Sequence, residues 1–281
     1  MTTSPTEYCA GQVKANDLDR HLTVLSAPAA KRGHLYALYA FNLEVAKTAE
    51  VVSEPMLGQI RLQWWREALD ELSNGRPRRH EVVEALAEAF RHRSPDWKRL
   101  EAILTAREAD LEAEPMATVG DLRTYARETS GSLLVLAAQL LADTSGAMAQ
   151  AVETAGIAYA MARLLRAVPH HAYTRRCYLP KDRLADAGLT AGDVMARRNP
   201  EALATLVARL VAEIRQDIDA VRGQRSQLPR TLLPVLLPIA LAEFDLRVIE
   251  KAHYDVFAPA SDGERWRRPL ALAWRQWLGR F

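Results

Sequence analysis

Hydrophobic residues recur along most of this chain at three- and four-residue spacing, which is the pattern of amphipathic α-helices. The segment GQIRLQWWREALDEL, residues 58–72, is a clear example, with charged residues on its other face. The apolar stripe that we expect to face the core here consists of Leu57, Ile60, Trp64, Ala68 and Leu72. The alternation of apolar and polar residues that is typical of strands is absent. The spacing predicts helices over residues 31–50, 54–73, 80–92, 95–113, 119–143, 147–168, 199–223, 228–257 and 264–279.

Local signals mark where several of these helices begin or break. Thr118 with Asp121, and Thr190 with Asp193, resemble capping boxes, in which two side chains satisfy backbone amides at a helix start. The segment 229–238 contains three prolines, each of which lacks an amide hydrogen and clashes with the preceding turn. We therefore expect the eighth predicted helix to kink or break there.

The size and composition of the chain favour one globular domain. It has 281 residues, of which 49% are hydrophobic, and this is ample for a sizeable core. No linker is rich enough in glycine, proline or serine to separate domains, so residues 1–281 are interpreted as one all-α domain. Within it, residues 1–16 are expected to form a flexible N-terminus.

Charge and cysteine content exclude several classes of protein. The 37 lysines and arginines nearly balance 35 acidic residues, which excludes a strongly polycationic nucleic-acid binder, so no nucleic-acid partner is expected. Cys9 and Cys177 do not have metal-ligand spacing. The N-terminus lacks the features of a targeting peptide, and no apolar window reaches the roughly 18 to 20 residues of a membrane span. We expect a cytoplasmic protein, at most peripheral at the inner membrane.

The segment from Leu164 to Pro180, LLRAVPHHAYTRRCYLP, is the most informative part of the sequence. It resembles the second aspartate-rich helix of squalene and phytoene synthases, whose usual form is close to NxLRDxxED…GRxYLP. Ala167 and His171 stand where that family has two metal-binding carboxylates, and His170 replaces the acidic residue between them. The resemblance implies that the helix is kept and its metal ligands are lost.

An earlier segment, LYALYAFNLEVAKTAE, shows the same loss. It resembles the family's first motif, DDxxD, and has Ala46, Lys47 and Glu50 at the acidic positions. In the family, carboxylates one helical turn apart hold the magnesium ions that stabilise the departing pyrophosphate. Glu50 alone cannot assemble a multi-magnesium cluster. We therefore expect no catalytic residue, no metal site and no cofactor. Mg²⁺ is expected as a cofactor only under the alternative that the chain is an active prenyltransferase.

The resemblance to the squalene/phytoene synthase family covers the chain from about Asp19 to the C-terminus. It implies an all-α, single-domain isoprenoid synthase-like helical bundle with a central cavity. One branch matches more closely: the mitochondrial complex I assembly factor of synthase-like fold and its bacterial relatives. The segments that carry this match, in chain order, are AFNLEVA (40–46), VSE (52–54), GQIRLQWW (58–65), LRAVPH (165–170), RR (175–176) and LPKD (179–182).

Two classes of function follow from the resemblance. The first is a non-catalytic protein that supports the assembly of respiratory complex I (NADH:quinone oxidoreductase), with complex I subunits or assembly intermediates as partners. The second is an enzyme of isoprenoid biosynthesis that couples two prenyl diphosphates head to head, of the squalene or phytoene synthase type. Between them stands a protein that binds an isoprenoid or its diphosphate without coupling. The missing carboxylates favour the first class.

Basic residues replace the acids around the mouth of the expected cavity. They are candidates to contact a phosphate or an acidic partner without metal. The alternative is that they form structural ion pairs or face solvent. The candidate residues are Lys47, Arg163, Arg166, His170, His171, Arg175 and Arg176, with Tyr178 as a further ligand candidate.

Tryptophans provide candidate partner surfaces. Trp64 and Trp65 lie on opposite sides of a helical turn, and we expect Trp64 to pack inside and Trp65 to cover a neighbouring helix or dock a partner. The C-terminal segment WRRPLALAWRQWLGRF interleaves Trp266, Trp274 and Trp277 with arginines. Such a segment either lies on an anionic membrane surface or folds onto the bundle as a terminal helix.

Overall fold

The structure, a computed structural model, describes residues 4–112, 114–259, 262–279 and 281, with residues 262–268 described by their backbone alone. These residues contain no strand, and the all-α prediction is confirmed. The helices are α1 (Pro5–Asn16), α2 (Leu18–Val24), α3 (Ala29–Ala46), α4 (Thr48–Val51), α5 (Pro55–Ser73), α6 (Glu81–Phe90), α7 (Trp97–Arg107), α8 (Val119–Ala126), α9 (Ser132–Leu141), α10 (Gly146–Arg166), α11 (Val168–Tyr173), α12 (Lys181–Asp186), α13 (Ala191–Met195), α14 (Pro200–Gly223), α15 (Leu233–Leu236), α16 (Pro238–Lys251) and α17 (Asp262–Trp277).

The local signals in the sequence act where they were expected. Both capping boxes form: Thr118 and Asp121 begin α8, and Thr190 and Asp193 begin α13. The predicted helix over 228–257 is broken at its prolines into a 3₁₀ turn, the short α15 and the longer α16. Proline is tolerated in the first turn of a helix, where its missing amide hydrogen has no partner, so each proline starts a new segment.

The expectation of a flexible N-terminus is wrong for residues 5–16, which form α1. Ser4 and Glu7 build a capping box at its start, and Cys9 and Val13 are fully buried one turn apart. This face of α1 packs against α3 and α6. The helix is therefore held by tertiary burial of two small apolar side chains, a signal too weak to be recognised from local periodicity.

Helix α5 buries a different face from the one predicted. Of the predicted stripe, Ala68 and Leu72 are buried as expected, whereas Leu57 and Ile60 are exposed and Leu62 and Trp65 take their place in the core. Trp65 is only 1% exposed and meets the ring of Phe41 edge-on at 5.3 Å. The expected roles of the two tryptophans are thus reversed, and Trp65 as a surface for a partner is excluded. Trp64 is half-buried and lies under the guanidinium of Arg78 at 5.5 Å.

A close helix contact selects this face of α5. A Cβ atom at Gly58 would lie 2.3 Å from a methyl carbon of Leu111, so only glycine lets α5 approach the 3₁₀ turn Glu108–Leu111 this closely. A rotation that buried Leu57 would replace this contact with a larger side chain. The orientation of α5 is set by the neighbour it meets, which local spacing does not reveal.

Helix α10 crosses the middle of the fold and packs against α9, α14 and α16. Its Gly156 touches the π-helical turn Arg127–Gly131, which joins α8 to α9: a Cβ there would lie 2.6 Å from backbone atoms of Ser130 and Gly131. Buried apolar side chains from Cys9 to Phe281 form one core cluster. None of the described helices is long and apolar enough to cross a membrane.

Candidate functional site

The ends of α3 and α10 carry the positions that correspond to the two aspartate-rich motifs. Ala46 is the last residue of α3, and the next residue, Lys47, donates from Nζ to Asn16 Oδ1 at 2.6 Å. Glu50 is exposed on the short α4. At the other motif, Ala167 terminates α10 and His171 lies on α11. Side chains at the ends of both helices therefore supply one exposed carboxylate and several basic or apolar groups.

Arg20 fills the space between α3 and α10. Its guanidinium carbon lies 5.5 Å from the ring centre of Tyr39 on α3 and 5.8 Å from that of Tyr159 on α10. Asp17 accepts from its Nη1 at 2.5 Å. Burial opposes the charge of Asp17, but the charge of Arg20 and its hydrogen bonds outweigh burial and lower the pKa of this carboxyl below its ordinary value. The middle of the bundle is thus occupied by a buried ion pair between two aromatic rings.

The two arginines of α10 are each paired with a buried aspartate. Arg163 donates to Asp19 at 3.0 Å, and the hydroxyl of Tyr159 donates to the same carboxylate at 3.2 Å. Arg166 donates to Asp245 of α16 at 3.1 Å. Both guanidiniums remain about half-exposed while their partners are buried. The ion-pair alternative describes these two arginines, and their use as phosphate ligands stays a prediction.

A cavity of about 770 Å³ lies beside these ion pairs. One wall is apolar and is formed by α2, α16 and the segment after α16; its side chains include Leu22, Leu241, Phe244, Val248, Ile249 and Val256. The charged groups on the described lining are Asp17, Asp19, Asp245, Asp255, Arg163, Arg166 and Lys251. Four carboxylates thus face three cations, so the lining has no excess positive charge with which to attract a diphosphate.

A second cluster, centred on Asp110, holds the segment after α11. The Asp110 carboxylate accepts from Arg107 at 3.0 Å and from the hydroxyls of Tyr125 and Tyr178, each at 2.8 Å. Burial opposes the charge of Arg107, but Tyr125 and Asp110 outweigh it and raise the pKa of this guanidinium. Arg176 donates to the backbone carbonyl of Asp110. Tyr178 and Arg176, both ligand candidates, therefore bind the protein itself.

The remaining basic candidates lie near this cluster or face solvent. The ring of His171 packs on Tyr178 at 4.6 Å, and burial, with help from the charge of His170, lowers the pKa of His171 to about 4. His171 is therefore neutral at pH 7. His170 is exposed, as is Arg175, which has a positive φ of 56° in the turn after α11.

The C-terminal helix α17 both folds onto the bundle and leaves an apolar face open. Leu272 is buried, and Arg275 donates to the buried Glu243 of α16 at 3.1 Å. Trp274 and Trp277 are exposed, with ring centres 5.3 Å apart. The side chain of Trp266 lies outside the described residues.

Magnesium, which the family implies, does not fit the side chains at the motif positions. The described residues contain no group of three or more histidine, cysteine, aspartate or glutamate side chains placed to hold a metal ion. Lys47 and the α10 arginines put positive charge where a cation cluster would have to lie, and Ala46 and Ala167 offer no oxygen ligand. Of the carboxylates that face the cavity, Asp17, Asp19 and Asp245 are already opposed by arginines.

Several of these residues could not be recognised from sequence reasoning. Asp17, Asp19, Asp245 and Asp110 carry no motif that marks them as partners of distant arginines. The one local signal is the N-cap position of Asp17, whose side chain accepts from the amide of Arg20 at the start of α2.

Comparison with known proteins places this geometry in a family. The squalene/phytoene synthase profile matches residues 13–275. The chain belongs to the squalene/phytoene synthase family. A dehydrosqualene synthase solved in complex with ligand superposes with a TM-score of 0.82 at 18% identity, covering 96% of this chain and 95% of that one. The predicted family and isoprenoid synthase-like fold are confirmed.

Within the squalene/phytoene synthase family, this chain is similar to two kinds of protein. The "NADH dehydrogenase (ubiquinone) complex I, assembly factor 6" of Rattus norvegicus is 27% identical over 274 residues, which are 98% of this chain and 82% of the rat protein. Phytoene synthase 1, chloroplastic, of Solanum lycopersicum is 25% identical over 277 residues, which are 95% of this chain and 65% of the tomato protein. The predicted similarity to the assembly-factor branch is confirmed.

Proposed function

We propose that this protein supports the assembly of respiratory complex I as a non-catalytic member of the squalene/phytoene synthase family. The observation that carries the proposal is that Ala46, Ala167 and His171 stand at motif positions where the family has carboxylates, in a chain similar over 98% of its length to a complex I assembly factor. Its partners are complex I subunits or assembly intermediates. With the reaction lost, the fold acts through its surfaces.

The charges at the site support the expectation that the protein does not couple prenyl diphosphates. Ionisation of an allylic diphosphate releases a highly charged pyrophosphate, which must be stabilised as the bond breaks. Ala46 and Ala167 provide no magnesium ligands, and Asp19 and Asp245 neutralise the arginines that face the cavity. Among the described residues, the site therefore has no group placed to hold a metal cluster, and both of its α10 arginines are paired with carboxylates.

Deletion of the gene in its own host tests the proposal. We expect assembled, NADH-oxidising complex I to fall and the squalene and carotenoid pools to stay unchanged, with full recovery when the wild-type chain is supplied. Incubation of the purified protein with labelled farnesyl or geranylgeranyl diphosphate and Mg²⁺ should give no coupled product. Lower isoprenoid pools with intact complex I, or robust turnover, would favour the prenyltransferase alternative.

The cavity supports a second candidate, the binding of an isoprenoid without its coupling. About 770 Å³ with an apolar wall is enough room for a lipid chain. Native mass spectrometry of protein purified from its own host tests this: a bound isoprenoid supports it, and an empty protein contradicts it.

We also propose a cytoplasmic location with peripheral contact at the inner membrane. Exposed Trp274 and Trp277 on α17 support this contact, because tryptophan partitions well into the lipid headgroup region. The five arginines and two acidic residues between 262 and 281 give this segment a net charge of +3, which favours an anionic surface.

A further inference from the structure

Helices α4 and α5 display an apolar face to solvent, on the side of α5 that we expected to be core. Its four large side chains are Val51, Met56, Leu57 and Ile60, which are 59%, 67%, 47% and 60% exposed. Single exposed apolar residues are ordinary, but a group of four within ten residues is a mark of an interaction surface. We call these four residues the α4–α5 face.

The α4–α5 face lies on a helix that is held firmly by the core. The opposite side of α5 is packed into the core through Leu62 and Trp65, and Gly58 is pressed against Leu111. Helix α5 therefore has two apolar sides, of which the core uses one. Large apolar side chains that stay exposed on a helix are expected where function, and not folding, selects the residues.

The exposed charges at the start of the α4–α5 face are acidic, and Lys47, one turn before Val51, is held by Asn16 Oδ1 at 2.6 Å. Glu50 and Glu54 are exposed at its N-terminal edge. The arginines on this part of α5 are already engaged: Arg61 contacts Glu44 at 2.5 Å. Further along the helix, Arg66 binds Glu101 at 2.7 Å and Glu108 at 2.6 Å. A complementary surface is therefore apolar with lysines or arginines at its edge.

The acidic edge of the α4–α5 face distinguishes between a membrane, a second copy of the chain and another protein as its binding partner. An anionic membrane would be repelled by Glu50 and Glu54. A second copy of the chain that docked through the same face would bring these like charges together. A shallow groove of about 470 Å³ continues along α5 and is lined by Gln59, Gln63 and the half-buried Trp64, among others. An amphipathic helix laid along α5 can bury its apolar side on the face and a long side chain in this groove.

We propose that the α4–α5 face is the docking site for a basic amphipathic helix of a protein partner. The inference rests on the proposed function in taking this partner to be a complex I subunit or assembly intermediate. The apolar side of the partner helix covers Met56, Leu57 and Ile60, and its basic edge meets Glu50 and Glu54.

The surface is tested first with purified protein and a defined probe, a labelled helical peptide of leucine and lysine, measured by fluorescence anisotropy. We expect the double variant Met56→Glu/Ile60→Glu to bind this peptide at least tenfold more weakly than the wild type. Leu25→Glu, which changes an exposed leucine elsewhere, is the matched control and should bind as the wild type does. A leucine–glutamate peptide should bind the wild type at least tenfold more weakly than the lysine peptide. Equal affinity of the double variant and the wild type, or of the two peptides, would overturn the proposal.

The same variants are then supplied to cells that lack the gene. The double variant should fail to restore complex I while its thermal unfolding stays within about 2 °C of wild type, which corresponds to less than about 1 kcal/mol; Leu25→Glu should restore it. If wild type and both variants all restore complex I, the docking proposal is wrong and the proposed function stands. If the deletion leaves complex I intact, the proposed function is wrong. The peptide measurement then tests by itself whether the α4–α5 face binds a basic helix.

Discussion

Replacement of Asp110 by asparagine is expected to destabilise the fold strongly, although it keeps the size of the side chain. The Asp110 side chain is 5% exposed and is the counter-charge of Arg107, which donates to it at 3.0 Å. Asparagine can still accept hydrogen bonds from Tyr125 and Tyr178, so the main loss is the negative charge. An ion pair buried to this degree costs about 3–5 kcal/mol when one partner is removed, because the other charge stays buried without compensation.

For a chain of this size, about 3–5 kcal/mol corresponds to a fall in Tm of about 6–20 °C. Urea unfolding followed by far-UV circular dichroism at pH 7 measures the loss directly. The matched control is Asp143→Asn, which removes the partner of Arg93 at 2.6 Å from a side chain that is 90% exposed. Such a surface pair is worth less than about 1 kcal/mol. Loss of less than about 1 kcal/mol for Asp110→Asn would refute this account of the cluster.

Three further changes test other parts of the structure. Gly156→Ala should lower the free energy of unfolding by about 1–3 kcal/mol or more, because its Cβ would meet the backbone of the π-helical turn. The control, Gly11→Ala, places a Cβ in open space on α1 and should raise the free energy of unfolding by about 0.5–1 kcal/mol. Equal effects of the two changes in urea unfolding would contradict the contact. The pKa of His171 is about 4 in the folded protein and near 6.5 when unfolded, so the unfolded state binds more protons between these values and stability falls as pH drops through that window. Between pH 6.5 and 5 the wild type should lose about 1.5 kcal/mol more than His171→Gln in urea unfolding, and parallel pH profiles would disprove it. Replacing Trp274 and Trp277 by alanine should weaken co-sedimentation with anionic phosphatidylglycerol vesicles without lowering Tm; unchanged sedimentation would show that α17 is not the membrane contact.

Local chemistry predicted the helix starts and breaks better than it predicted which side of a helix is buried. Capping boxes and prolines act within one turn, so Thr118 and Pro238 mark boundaries whatever the rest of the fold does. On α5 two apolar stripes satisfy helical spacing, and periodicity alone cannot choose between them. The choice is made by Gly58 against Leu111, a contact between segments more than fifty residues apart.

At the candidate site, too, local features could be predicted from the sequence and long-range contacts could not. The absence of carboxylates from motif positions 46, 167 and 171 is a property of single positions, and the sequence reveals it directly. The partners of the remaining arginines are not local: Arg163 pairs with Asp19 across 144 positions, and Arg166 with Asp245 across 79. No spacing rule connects such residues. Only the packing of α2, α10 and α16 brings them together.

These partners explain why the bundle tolerates the loss of its metal ligands. Without counter-charges, the half-exposed Arg163 and Arg166 would present unopposed positive charge to the cavity. Asp19 and Asp245 supply those counter-charges from the protein, and the Arg20–Asp17 pair fills the space between Tyr39 and Tyr159. Three arginines at the site are therefore paired with carboxylates of the protein itself, without a metal ion or a diphosphate. This agrees with the proposed function, in which the protein acts through its surfaces, and the α4–α5 face is the surface that we propose for its partner.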